Sequence, residues 1–146
     1  TVQPVEEQKS PSSHQKRAYE LAKAVIELLD PEFAKGEFLV NFSHMNSRCH
    51  YVKKHVDRDD VTFQYLLSFG EYDGDVLLSV YDKRGCWLRA FNCKDKILKF
   101  DGRLPHRVHK HKFHGDRFAV IWYKSYDARI TEATPIFDQP HFVYSP

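Results

Sequence analysis

The chain has 146 residues, 42% of them hydrophobic and 29% charged, which suits one globular domain with its own core and leaves little room for a second. No apolar run is long enough to span a bilayer and residues 1–13 have no apolar centre, so membrane and secretory readings are disfavoured. A net charge of +2 is too small to announce a nucleic-acid-coating protein, and Cys49, Cys86 and Cys93 form no CxxC pair, which argues against a disulfide framework or structural zinc and for an intracellular protein, nuclear or cytoplasmic. Because it begins at Thr1 rather than Met, the sequence is expected to be a piece of something longer.

Residues 1–13, rich in Pro, Ser, Gln and Glu, read as a flexible arm ahead of a single domain over 14–146, with its core at about 37–124. Ala18, Leu21, Ala22, Val25, Ile26 and Leu29 recur at spacings of three and four, between a cap at Ser12 or Ser13 and a stop at Asp30-Pro31. This pattern predicts an amphipathic helix over 14–29. Beyond Pro31, segments 37–42, 62–69, 76–81, 87–91, 97–100 and 118–124 are short and rich in β-branched and aromatic residues. Turn signals at Asp73-Gly74, residues 83–85, Asp101-Gly102 and Gly115-Asp116 separate them. A single helix followed by regularly spaced short strands predicts a mainly β fold, a sandwich or jelly roll with the helix packed on one sheet. The tail from Ala128, with Ile136, Phe137 and Phe142, is expected to lie extended over the core.

Of nine histidines, His44 and His50 with His55 nearby, and His106, His109, His111 and His114, form two stretches, and chemistry is sought there. In His55-Val56-Asp57 an imidazole and a carboxylate stand two residues apart, and an extended backbone projects both from one face. His106, after several strands, supplies a third ligand; two histidines and a carboxylate on one side of a metal are the set associated with non-haem Fe(II) oxygenases. His109, His111 and His114 compete for that third position, and His106 is preferred because it follows its turn and Pro105 directly. Taken alone, an HxD is more often an accident of surface composition, and the later histidines read by default as a solvated loop. His44, His50 and Cys49 match no zinc spacing. Arg117 heads the most apolar strand segment and shares a face with Ala119, Ile121 and Tyr123; an inward guanidinium there needs an anionic partner, which a bound dicarboxylate would supply.

The combination of His-x-Asp, a distal His and an Arg shortly after it, over residues 38–124, resembles the iron- and 2-oxoglutarate-dependent dioxygenases. Within them the sequence is most similar to the branch of the TET methylcytosine oxidases and J-binding-protein thymine hydroxylases, through Phe69-Gly70-Glu71-Tyr72-Asp73-Gly74-Asp75-Val76-Leu77 and the run Phe100-Asp101-Gly102-Arg103-Leu104-Pro105-His106. It departs from that branch in having Asp73-Gly74-Asp75 where a glycine pair is common, and in lacking the large insertions that carry DNA contacts in the TET enzymes. The resemblance implies a double-stranded β-helix, the jelly-roll or cupin-like fold. It implies Fe(II) held by His55, Asp57 and His106 as the catalytic centre, 2-oxoglutarate paired through its distal carboxylate with Arg117, and ascorbate as an optional reductant; Asn46 and Tyr51, ahead of the HxD strand, read either as hydrogen-bonding partners of 2-oxoglutarate or as ordinary polar loop residues. The implied activity is hydroxylation of a C–H bond, the methyl group of 5-methylcytosine or thymine in nucleic acid; the alternatives are a protein side chain as substrate, or a catalytically silent jelly-roll binding module. Arg103, Arg107, Lys110, Lys112 and Arg117, with Lys53, Lys54 and Arg58, predict a basic rim suited to a polyanion, diluted by Asp57, Asp59 and Asp60.

Overall fold

The computed structural model describes residues 12–46, 52–73, 76–109, 114–125 and 135–139. Contacts divide the chain into two compact units, Thr1–Gly36 and Glu37–Pro146.

In the first unit, capping chemistry decides where helices start. The Ser12 hydroxyl accepts the Gln15 N–H at 3.2 Å while the Gln15 side chain accepts the Ser12 N–H at 2.7 Å, so two otherwise orphaned donors are satisfied at the head of α1 (Ser13–Leu29). Ala22 and Ile26, one turn apart, form its buried stripe, as the spacing predicts. The expected stop at Asp30-Pro31 is a restart. The Asp30 carboxylate accepts the Phe33 N–H at 3.0 Å and Pro31 occupies a first-turn position, where its missing N–H costs nothing, giving a one-turn α2 (Pro31–Lys35).

Among its described residues the second unit has strands and no helix: β1 (Leu39–Met45), β2 (Val52–His55), β3 (Gln64–Phe69), β4 (Leu77–Tyr81), β5 (Trp87–Asn92), β6 (Leu98–Phe100), β7 (His106–Val108), β8 (Arg117–Tyr123) and β9 (Phe137–Asp138). They form two antiparallel sheets, in the orders β1-β8-β3-β6-β9 and β2-β7-β4-β5. Leu66, Leu98, Phe100 and Ala119 of the first sheet join Leu78, Val80, Phe91 and Val108 of the second in one buried cluster. Each large apolar side chain there contributes about 1.5–3 kcal/mol. The chain is therefore mainly β, with one main helix, and no described helix is long and apolar enough to cross a membrane.

β1, β3, β4, β5, β6 and β8 overlap the segments whose composition predicts strands. β2, β7 and β9 lie outside them. All four residues of β2 are exposed, so no apolar alternation marks it, and β7 and β9 are too short to show a period. In the tail, the described part pairs β9 with β6 and packs Phe137 against the core; the rest of residues 128–146 lies outside the described residues.

Candidate metal centre

β2 and β7 pair antiparallel with His55 opposite His106, which puts both imidazoles side by side, ring centroids 4.3 Å apart. Each ring is fixed by its own backbone. His55 Nδ1 lies 2.7 Å from the Lys53 carbonyl and His106 Nδ1 2.8 Å from the Leu104 carbonyl. A carbonyl can only accept, so Nδ1 carries the hydrogen in both rings, and in the neutral form Nε2 is left with a lone pair. Those two nitrogens straddle Asp57: His55 Nε2 is 3.4 Å from Oδ1, and His106 Nε2 is 3.4 Å from Oδ2. One ligand atom from each residue lies within 4.8 Å of the others, a grouping that can hold a metal ion. Ligands at about 2.1 Å from a metal in adjacent positions sit about 3 Å apart, so little movement is needed to close the site.

Asp57 is held from two directions. Its N–H donates to the Gly102 carbonyl at 2.8 Å, and Gln64 Nε2 donates to its Oδ2 at 2.8 Å. Burial pushes its carboxyl up, but the hydrogen bond and charge of His106, the Gln64 bond and the charge of His55 outweigh it and hold the group below its ordinary value. Gly102 makes this approach possible, because a Cβ there would stand 2.0 Å from Gln64 Nε2 and 2.7 Å from Asp57 Oδ2. In the same turn the fully buried Asp101 accepts Arg103 Nε at 2.9 Å and Nη2 at 2.7 Å, a bidentate pair that stiffens the lead into His106. Phe100 then meets the His106 ring edge-on at 5.2 Å.

The three residues share a cavity of about 360 Å³ between the sheets with Arg117, Met45, Leu66, Leu78 and Val108. Arg117 is 4% exposed; one Nη lies 3.1 Å from Met45 Sδ, a weak acceptor, and Nε has no hydrogen-bond partner among the described residues. A buried guanidinium so poorly satisfied is costly unless an anion completes it. As predicted from alternation, Arg117, Ala119 and Ile121 face the cavity together. Residues 71–73 and 114–116 lock the approach to β8 backbone to backbone: Asp116 N–H donates to the Glu71 carbonyl at 3.0 Å, and Gly115, at φ +103°, comes so close that a Cβ would lie 2.0 Å from that oxygen. At the rim, His44 pairs with Asp116 at 2.6 Å and stacks on Phe118.

Of the competing histidines, His109 lies 2.5 Å from the Ser79 hydroxyl, its pKa lowered by burial and then by the charge of Arg107, and His114 is exposed on a loop; His111 lies outside the described residues. His106 is thus the one described among them that joins His55 and Asp57. Asn46 follows β1, half-buried, and is not among the described residues lining the cavity; Tyr51, His50 and Cys49 lie outside the described residues.

The basic rim divides differently from the sequence expectation. Arg103 is spent on Asp101 and Arg117 is interior, while Lys110 and Lys112 lie outside the described residues. A second opening of about 420 Å³ shares Asn41, Asp57, Gln64 and Ile121 with the cavity and is lined also by Asp59 and Asp60. Asp60 is buried with Oδ2 unpartnered, and burial together with the charge of Asp57 pushes it up to about 7. Sequence reasoning missed Gln64 and the clearance at Gly102; the signals were a polar residue opening an apolar strand and a glycine beside a ligand. No family model matches the chain, and no curated protein matches it.

Proposed function

We propose that the chain is an Fe(II)- and 2-oxoglutarate-dependent dioxygenase built on a double-stranded β-helix. One observation carries the reading: two imidazole Nε2 atoms and a carboxylate converge in the cavity where Arg117 is buried without an anionic partner among the described residues. The donor set fits Fe(II), and the guanidinium fits the distal carboxylate of 2-oxoglutarate. The strand orders support the fold: β9 apart, successive strands cross from sheet to sheet except at the β4–β5 hairpin, as in a jelly roll.

In this reading His55 and His106 present Nε2 in fixed orientations and Gln64 aims Asp57. His55, Asp57 and His106 would hold the metal from one side, with room in the cavity for the cosubstrate. Arg117 sets the cosubstrate's direction, and Leu66, Leu78 and Val108 exclude water. When bound, iron and 2-oxoglutarate supply the oxidising chemistry: dioxygen is split, one oxygen ending in succinate as CO2 leaves and the other entering a substrate C–H bond.

The substrate we propose is the methyl group of a nucleobase, 5-methylcytosine or thymine in nucleic acid. A protein side chain is the second reading, favoured by the second opening, where Asp57, Asp59 and Asp60 outnumber the one cation, Arg58, and would suit a cationic group. Incubation with Fe(II), 2-oxoglutarate and ascorbate, with methylated or unmodified DNA or a peptide pool, tests the two. Succinate release with one oxygen gained by DNA supports the first, and oxygen gained by peptides instead replaces it with the second. No succinate and no bound iron would leave a silent binding module.

A further inference from the structure

The strands that carry the metal ligands have a second face, and its charge is one-sided. Across β2, β7, β4 and β5 there are four Lys or Arg residues, Lys53, Lys54, Arg89 and Arg107, and no Asp or Glu. Register settles where one of them points, and a ring contact places a second. His106 and Val108 face the cavity, so Arg107 between them, opposite Ser79, faces outward. Arg107 and Lys54 both approach the Tyr81 ring, the guanidinium carbon at 5.6 Å and the ammonium at 3.9 Å from its centroid. The ring gathers two cations from different strands onto one spot and holds them there. Trp87, the register partner of Tyr81, stands beside them with 60% of its surface exposed. Asp82, next to Tyr81 in the chain, accepts the backbone N–H groups of Arg84 and Cys86 on Oδ1. Asp57, Asp59 and Asp60 line the second opening, with Arg58 among them.

We infer that this outer face is the docking surface for the phosphate backbone of the nucleic acid, with Lys54 and Arg107 on phosphates and the Trp87 indole as a stacking platform for a base. The inference rests on the nucleic-acid reading above and deepens it by naming the surface. Two fixed cations beside an exposed aromatic match a strand of alternating phosphates and π-faces. Lys54 is followed directly by His55 on β2, the edge strand of its sheet, so the basic face and the half-exposed side of the metal centre meet along one edge. A nucleotide unstacked from a strand docked there has a short way to the cavity.

The test is fluorescence anisotropy of a labelled single-stranded DNA over a salt series, with wild type, Lys54→Glu/Arg107→Glu, the conservative Lys54→Arg/Arg107→Lys, and Trp87→Ala. Expected are a wild-type affinity that falls with salt, and loss of roughly tenfold or more in the charge-reversed pair, with the log–log salt slope reduced by about two. The conservative pair should bind like wild type, and Trp87→Ala should weaken binding without changing the slope. Cobalt binding at His55, Asp57 and His106 and the thermal melt should be unchanged in every variant. DNA binding that persists undiminished in the charge-reversed pair overturns the assignment of the surface while leaving the nucleic-acid reading intact. No DNA binding by wild type at low salt, or tighter binding to phosphatidylserine vesicles that the same reversal abolishes, overturns the inference together with its nucleic-acid premise. Cobalt and succinate measurements report separately on the dioxygenase reading.

Discussion

At the residue scale, the tautomer fixed by two backbone carbonyls makes His55 and His106 ligands in waiting. The HxD spacing and the distal histidine were legible in the sequence because residue type and order carry them. The Nδ1 contacts and the Gln64 brace were not, because they depend on where distant backbone ends up. Replacing Gln64 by Leu frees Asp57 to rotate and should lower cobalt affinity about 10- to 100-fold with little change in the melt of the metal-free protein. Competition against a chelator measures it, and unchanged affinity would remove Gln64 from the site. Asp60 gives a pH signature. Its folded value, about 7, lies above the ordinary 3.8, so between those values the folded state binds more protons than the unfolded one. The contribution of Asp60 to the stability of the metal-free protein should be greatest near the lower limit and fall as pH rises, by up to about 1.4 kcal/mol for each pH unit, levelling off above about 7. Asp60→Asn should flatten that slope in denaturant titrations; an identical slope in the variant would contradict the assignment.

At the element scale, the turn over residues 101–104 and the head of β8 do the positioning. Gly102→Ala puts a methyl group into the Gln64–Asp57 hydrogen bond, so metal affinity and stability should fall together. If calorimetry with and without cobalt shows neither, the close approach is softer than the distances imply. Arg117→Gln should leave metal affinity intact and raise the 2-oxoglutarate concentration needed for half-maximal succinate formation, with kcat affected less. Equal loss of metal binding would mean that Arg117 supports the fold rather than the cosubstrate. The two strands that carry the histidines were among the three that composition did not mark. β2 is exposed along its length and β7 has three residues, so their strand character comes from pairing with each other and with β4. β8, by contrast, was legible, because its inward face alternates from Arg117 to Ile121.

At the scale of the whole molecule, a sandwich of short strands was legible from turn spacing and β-rich composition. The partition of those strands between two sheets was not, since it depends on pairings far apart in sequence. The centre joins two of those distant pieces. A metal bound by β2, β7 and the loop between β2 and β3 ties them only in the folded state, so cobalt at 100 times its dissociation constant should stabilise the protein by about 2.7 kcal/mol, an effect that Asp57→Ala abolishes. The central claim is that this centre holds Fe(II) and 2-oxoglutarate together, and anaerobic titration of the Fe(II)-loaded protein with 2-oxoglutarate tests it most directly. A weak visible charge-transfer band that saturates at one 2-oxoglutarate per iron, is lost in Asp57→Ala and requires more 2-oxoglutarate in Arg117→Gln is the predicted result. Stoichiometric iron with no band at saturating 2-oxoglutarate would contradict the account.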